Sequence, residues 1–357
     1  MIDAKSYAAF DPKSPLKSWD FQRREVGDDD VQIDILFCGV CHSDLHYAKS
    51  EWMPVTYPQV VGHEIVGKVV KVGKNVTNHK AGALVGVGCI VDSCRHCDNC
   101  KDDLENFCTE GMQGTYMGVE KQTGKQTQGG YSSVIVVDQN YVLRIPEGMD
   151  PAKAAPLLCA GITLYSPLRH WDAGSGKTVG IVGLGGLGHM GVKLAHAMGA
   201  KVILFTTSQD KVADGKKFGA DDVVISKNEN DLSRYNGKLD LIVNTVAAAH
   251  DLNPFITLLK RDATMVLVGA PATPHPSPQI FNLLMQRRSI AGSLIGGIKE
   301  TQEMLDFCAK HNVLPEIEMT SIHDINRAWE RVLKSDVKYR FVIDMATLKA
   351  ETTAAWK

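Results

Sequence analysis

No stretch of this chain approaches the ~18 consecutive apolar residues of a membrane span, and neither sign of charge dominates it. Lys and Arg total 39 against 41 Asp and Glu, a formal net charge of −2. The first absence argues against a membrane protein, and the second against a chain drawn to nucleic acid or anionic lipid by charge. The opening residues, MIDAKSYAAFDPKSP, lack a basic start followed by an apolar core, so no signal peptide is expected. Internal repeats and low-complexity linkers are missing as well. What remains is ordinary: 357 residues, 44% apolar and 22% charged, with length for two domains or one large one. Without a leader the expected location is the cytoplasm, where thiols stay reduced. There a cysteine cluster is more often a metal site than a set of disulfides. The cysteines number nine, an odd count.

Cys94, Cys97, Cys100 and Cys108 crowd into the segment DSCRHCDNCKDDLENFC. Two intervals are Cys-x-x-Cys. Thiolates are soft ligands that suit tetrahedral zinc, and a full set of sulfurs closes the coordination sphere, so the site is expected to be structural. The polar surroundings show no hydrophobic period and read as a loop folded round its metal. The competing reading, exposed free thiols, would be a liability. His96 reads as a solvated side chain. A nucleic-acid zinc ribbon is not favoured, since bases there do not outnumber acids.

The segment FCGVCHSDLH follows VQIDILF, an alternating β-branched run that predicts a strand. Cys38 and Cys41 form another Cys-x-x-Cys pair, which a redox site of the thioredoxin type would also use. Nothing else in the chain supports that fold. Cys41, beside polar His-Ser-Asp, is the better ligand candidate, while Cys38 points the other way along an extended segment. His63 and Glu64 follow a glycine and precede IVGKVVKVG, a further strand. Cys159, in the apolar run APLLCAGITLYSPL, reads on its own as a core cysteine.

The strongest fold signal is KTVGIVGLGGLGHMGVKLAHAMGAKVILFTT. A short strand over Val179 to Val182 leads into Gly183, Gly185 and Gly188, with Gly186 and Leu187 between. Met190, Leu194 and Met198 then recur at helical spacing, Gly199 ends the helix, and KVILF is the next strand. A G-x-G-x-x-G in this setting is a dinucleotide turn, whose backbone N–H groups approach a pyrophosphate at the helix start. AGSGKT is not a P-loop, because Trp171 stands where that pattern needs glycine. At the end of the second strand an NAD site usually has an acid. This chain has Thr206, Thr207 and Ser208, then Lys211. Hydroxyls and a lysine suit a 2′-phosphate, so NADP(H) is expected, although Asp210 is close by. Strands expected near 223–225, 239–244, 263–269 and 288–295 continue the alternation and imply a parallel sheet. A helix is expected around ETQEMLDFCAK.

Residues 62 to 76 fit the pattern G-H-E-x-x-G-x5-G-x-x-V, and the stretches GVCHSDLH, VGVGCIVDSC, LLCAGIT, GLGGLGHM, IGGIKETQEMLDF and DVKYRFVID occur in order along the chain. Through these the chain resembles, over its whole length, the zinc-dependent medium-chain alcohol dehydrogenases. It is most similar to their cinnamyl-alcohol-dehydrogenase branch and its bacterial NADP-dependent aldehyde reductases. The resemblance implies an α/β protein. A mostly-β GroES-like catalytic domain would span 1–152 and 296–357, with a zinc lobe at about 89–110. A doubly wound, parallel-sheet Rossmann domain for NADP would span 153–295. It implies two zinc ions per chain: a catalytic one on Cys41, His63 and Cys159, and a structural one on Cys94, Cys97, Cys100 and Cys108. Glu64 resembles an alternate ligand and Asp44 the carboxylate that orients His63. The family's cofactor contacts fall on His42 and Arg340 for the pyrophosphate and Thr163 near the nicotinamide, with Thr245, Gly269 and Ile295 completing the set. Ala83 departs from the family's aspartate, and a local loss of hydrogen bonding is expected there.

The chemistry that follows is hydride transfer between NADP(H) and an aldehyde or primary alcohol, with zinc as Lewis acid. Ser43 is placed to reach the reacting oxygen, and His46 to pass a proton to solvent. By resemblance Trp52, Met53, Gly114, Tyr116 and Ile295 line the substrate pocket. Their apolar character favours aromatic or medium-chain substrates, and Gly114 stands where plant lignin enzymes often carry an aromatic. A homodimer through the apolar strand RSIAGSLIG is expected, with no nucleic-acid or membrane partner. Two other classes stay open: a zinc-free quinone oxidoreductase, which would not need Cys41, His63 and Cys159, and a zinc-based binding protein, which would not need the glycine turn.

Overall fold

The computed structural model describes residues 1–349, so the last positions of the expected segment 296–357 lie outside the described residues. The chain divides into two compact units. One comprises Met1–Cys159 and the chain from Gly296 onward, the other Ala160–Ile295.

The first unit is built on a mixed, mainly antiparallel seven-stranded sheet. At its centre the run VQIDILF lies in the strand Asp30–Gly39. There Val31, Ile33 and Ile35 are fully buried, the period-two pattern that a half-covered strand imposes. This strand pairs antiparallel with Ile65–Val72, Val134–Asp138 and Arg340–Asp344. Ile317–Ser321 adds a parallel strand beside Arg340–Asp344. The expected helix near ETQEMLDFCAK runs Ile298–His311 and ends on Asn312, whose φ of 53° breaks the helix. The cysteine-rich lobe is not the plain loop expected. A helical turn, Asp98–Lys101, and a 3-10 turn, Glu105–Phe107, sit between the paired strands Ile90–Asp92 and Gln113–Gly114. Turns this short leave no 3.6-residue pattern in the sequence. At Ala83 the backbone stays paired, its N–H bonding to Lys80 at 3.1 Å.

The second unit is a six-stranded, all-parallel sheet in the order Asp222–Ile225, Lys201–Thr206, Thr178–Val182, Leu239–Asn244, Leu259–Leu267, Ser289–Gly292. Numbered along the chain this is 3-2-1-4-5-6, the doubly wound dinucleotide order, whose ligand crevice lies at the carboxyl ends of the central strands. Val182, Ile203, Phe205, Ile242 and Met265 form part of its core. The last strand is shorter than the 288–295 expected, and beyond it Ile295 adopts a φ of 39° that no strand accommodates. Among the described residues no helix is long and apolar enough to cross a membrane.

Candidate functional site

Three separate structural devices bring the first cluster together. Cys41 immediately precedes the helix His42–Ala48, and its N–H donates to the Asp44 carboxylate at 2.9 Å. His63 follows Gly62, whose φ of 103° and whose closeness to the Tyr131 ring (2.6 Å from an added Cβ) leave no room for a side chain. Cys159 lies in a π-helical stretch, Leu157–Gly161, between the helices Pro151–Pro156 and Ile162–His170. Such widened turns recur at functional sites because they re-aim a side chain. Donor atoms of Cys41, His63, Glu64 and Cys159 all lie within 4.8 Å of one another, and all four residues are buried. Cys38 is buried outside this set, and burial pushes its thiol up.

The cluster fits zinc on two counts. The sulfurs of Cys41 and Cys159 are 3.9 Å apart, close to the about 3.8 Å edge of a tetrahedron with zinc–sulfur bonds of about 2.3 Å. Their mutual hydrogen bond holds Cys41 below the usual thiol range and pushes Cys159 above it, so the pair shares a proton that a cation would displace. The second count is Glu64, which is fully buried. One carboxylate oxygen is ion-paired with Arg340, and the other, Oε2, has no hydrogen-bond partner. A buried, unsatisfied carboxylate oxygen among thiolates is a position a metal ion satisfies.

Around this cluster Asp44 is a hub. Its carboxylate accepts from Cys41 N–H, Gly62 N–H at 3.1 Å and Tyr131 O–H at 3.1 Å, and it stands 3.3 Å from His63 Nδ1. Nδ1 is closer still to the Tyr116 hydroxyl, at 2.8 Å. Burial, with Asp44 nearby, holds that hydroxyl well above the usual tyrosine range, so it stays neutral. Tyr116, expected as a pocket wall, is therefore committed to orienting His63. Gly114 is buried, and a Cβ there would collide with the carbonyl oxygen of Tyr116, so it marks a backbone contact and not open pocket space. Ser43 Oγ is 3.5 Å from Cys41 Sγ. His46 stacks on Trp52 at 4.9 Å and holds Glu51 through Nδ1. Met53 and His42 are exposed. Arg340, expected to face a pyrophosphate, is buried against Glu64.

The second cluster is the lobe. Cys94, Cys97, Cys100 and Cys108 bring their sulfurs within 4.8 Å of one another, with Cys94 and Cys100 at 3.8 Å. Backbone N–H groups of Thr109 and Cys100 hold the Cys97 thiol down to about 6. Such a set of four sulfurs closes a tetrahedral site. His96 is exposed, as expected.

In the second unit the glycine turn has the geometry of a phosphate cradle. Gly183 has a φ of 92°, and a Cβ on Gly188 would collide with the Gly183 carbonyl oxygen. An added Cβ on Gly185 meets nothing within 4 Å, so this position is open where a ligand would approach. The helix Gly188–Ala197 starts without a side-chain cap, and in its first turn His189 N–H donates to the Gly185 carbonyl at 3.1 Å. Thr245 closes the turn by donating to the Val182 carbonyl at 2.8 Å, and a Cβ on Gly269 would collide with Val246. Thr163 is buried on the helix Ile162–His170. At the end of the second strand Thr206 is buried, and its hydroxyl accepts from Ser208 N–H at 3.3 Å. It shapes the turn and is not offered outward, since it is buried like the rest of the strand from Val202 onward. Thr207 is exposed and Asp210 too, Ser208 is half-buried, and Lys211 Nζ donates to the Leu184 carbonyl at 3.0 Å, beside the glycine turn.

A doubly wound unit with such a cradle, joined in one chain to a buried thiolate–imidazole–carboxylate centre and a four-cysteine lobe, is the make-up of a metal-dependent dehydrogenase. The chain belongs to the zinc-binding alcohol dehydrogenases. Residues 27–147 match the alcohol dehydrogenase GroES-like domain, and residues 186–310 the zinc-binding dehydrogenase domain. It is 59% identical to aldehyde reductase YahK of Escherichia coli over 96% of this chain and 99% of that one. It is 54% identical to NADP-dependent alcohol dehydrogenase C 1 of Mycolicibacterium smegmatis, over 98% of this chain and 100% of that one. Its structure resembles a cinnamyl alcohol dehydrogenase from Sorghum bicolor, with a TM-score of 0.93, 44% identity, and coverage of 96% and 98% of the two chains. It also resembles the Helicobacter pylori enzyme complexed with NADP(H), with a TM-score of 0.91, 42% identity, and coverage of 97% and 99%.

Proposed function

We propose that this protein is an NADP(H)-dependent zinc alcohol dehydrogenase that interconverts aldehydes and primary alcohols, with aromatic or medium-chain compounds as substrates. The observation that carries the reading is the buried Cys41, His63, Glu64 and Cys159 cluster, with its tetrahedral sulfur spacing and its unsatisfied Glu64 oxygen. Zinc held there supplies a Lewis acid that favours negative charge on the substrate oxygen while hydride passes to or from the nicotinamide. Arg340 balances the Glu64 charge, and Asp44 with Tyr116 holds His63 in one ring orientation. Ser43 holds a proton at the substrate oxygen. His46, backed by the Glu51 carboxylate and the Trp52 ring, passes it to solvent. Trp52 and Met53 supply apolar surface for the substrate.

The relatives named for NADP and the hydroxyl–lysine turn support NADP(H) over NAD(H). Thr207, Ser208 and Lys211 remain to meet the 2′-phosphate. A charge-assisted contact to phosphate contributes on the order of 1.5–3 kcal/mol, so kcat/KM is expected to favour NADPH by roughly ten- to a hundredfold. Lys211→Ala should weaken NADPH and leave NADH nearly unchanged, and Thr207→Asp should shift preference toward NADH. Equal kcat/KM for both cofactors in the unmodified enzyme would overturn this part of the reading. The catalytic domain is assigned to 1–152 and 296–357 and the cofactor domain to 153–295. A homodimer and a cytoplasmic location complete the proposal. The primary experiment is zinc content combined with NADPH consumption on benzaldehyde. About two zinc ions per chain with turnover supports the reading. Turnover without zinc would favour a quinone oxidoreductase, and zinc without turnover a binding protein.

A further inference from the structure

The lobe carries donors that the four-sulfur site does not use. His96 and Glu110 stand on its outside, their side chains 69% and 57% exposed. The His96 ring is fixed by Nδ1 against the carbonyl oxygen of Cys94 at 2.8 Å. That contact turns Nε2 toward the Glu110 carboxylate, 2.6 Å away. One donor atom from each of Cys94, His96 and Glu110 lies within 4.8 Å of the other two. Cys94 thus belongs to two donor sets, one facing inward with Cys97, Cys100 and Cys108 and one facing solvent.

A tetrahedral site closed by four sulfurs has no vacant position through which an ion can enter or leave. Exchange requires an incoming donor to take the place of a departing sulfur. Imidazole and carboxylate are both zinc ligands, and here both stand beside the one sulfur common to the two sets. An exposed His–Glu pair contributes little to stability by itself. We propose that Cys94, His96 and Glu110 form an outer half-site that passes a zinc ion between solvent and the four-cysteine site. On entry His96 Nε2 and a Glu110 oxygen bind the ion, with the Cys94 sulfur as the shared ligand, and the proton held between Nε2 and the carboxylate and the thiol proton of Cys94 go to solvent. Cys97, Cys100 and Cys108 then displace the imidazole, the carboxylate and water, and their thiol protons go to solvent. Release is the reverse, and no electrons move.

The inference rests on the zinc reading of the lobe given above. Its test uses full-length protein carrying Cys159→Ser, so that the lobe holds the remaining zinc, and follows zinc transfer to 4-(2-pyridylazo)resorcinol by absorbance. His96→Gln and Glu110→Gln, made separately on this background, should slow both release and reloading by zinc several-fold. Zinc content, equilibrium zinc affinity and melting temperature should be unchanged. Unchanged or faster transfer in both variants overturns the inference and leaves the zinc reading intact. A starting protein with no zinc in the lobe overturns both.

Discussion

At the scale of single residues, Glu64 and Arg340 have the clearest energetic signature. Both are buried, and they are ion-paired. Removing one partner leaves the other charged and unpaired, at a cost of about 3–5 kcal/mol. Arg340→Met should therefore lower stability by that order in urea unfolding of the zinc-loaded protein. The double variant Glu64→Gln with Arg340→Met should recover a good part of the loss. A single variant as stable as the parent would show that the pair is not what balances Glu64. Tyr116→Phe tests a gentler contact. It removes the hydroxyl 2.8 Å from His63 Nδ1, a bond worth about 0.5–1.5 kcal/mol. Its sharper effect should be on metal retention, because an imidazole ligand freed from its orienting partner typically loses metal affinity about 10–100-fold. Chelator competition reads this directly, and unchanged affinity would leave Asp44 as the sole orienting group. Neither role was legible in the sequence. Ser-Asp after Cys41 and Gly-His-Glu at 62–64 mark the ligands locally, but Tyr116 meets His63, and Arg340 meets Glu64, from segments far apart in the chain.

Secondary-structure elements show where sequence pattern suffices and where it does not. In the second unit the strand–glycine–helix–strand order was plain, since strand period, glycine spacing and the Gly199 stop are all local signals. Cys159 was not, because its apolar surroundings are the same whether it faces a core or a metal. The π-helical stretch that carries it, Leu157–Gly161, follows directly on the helix Pro151–Pro156 within one apolar run. The three fingerprint glycines also differ in purpose. Gly188 is required by the fold, since any Cβ would strike the Gly183 carbonyl, whereas Gly185 has open space around it. Gly188→Ala should then destabilise the protein by the 1–3 kcal/mol of an overpacked contact. Gly185→Ala should leave thermal unfolding within about 0.5 kcal/mol of the parent while weakening NADPH binding tenfold or more, about 1.4 kcal/mol. Fluorescence titration with NADPH alongside thermal melts separates the two. A Gly185→Ala protein that binds NADPH as tightly as the parent would remove this turn from the cofactor site.

On the scale of the whole molecule, the open question is how the cofactor unit ends. The strand Ser289–Gly292 is the sheet's edge and pairs, among the described residues, with Leu259–Leu267. An exposed edge strand presents unpaired N–H and C=O groups and invites another chain. The sequence pointed to this edge through its apolar RSIAGSLIG run, but not to the helix just before it. In Ile280–Leu284 and the next residue, Ile280, Phe281, Leu284 and Met285 are 60%, 74%, 65% and 73% exposed. Large side chains bared together in this way mark an interaction surface, and an apolar helix beside an open edge is what a two-fold pairing of strands would cover. If the dimer forms there, Phe281→Glu with Met285→Glu should place like charges where the two copies meet. The variant should elute and scatter light as a monomer at micromolar concentration, with its secondary structure and zinc content intact. An unmodified protein that is already monomeric at that concentration, or a double variant that remains dimeric, would move the interface off this edge.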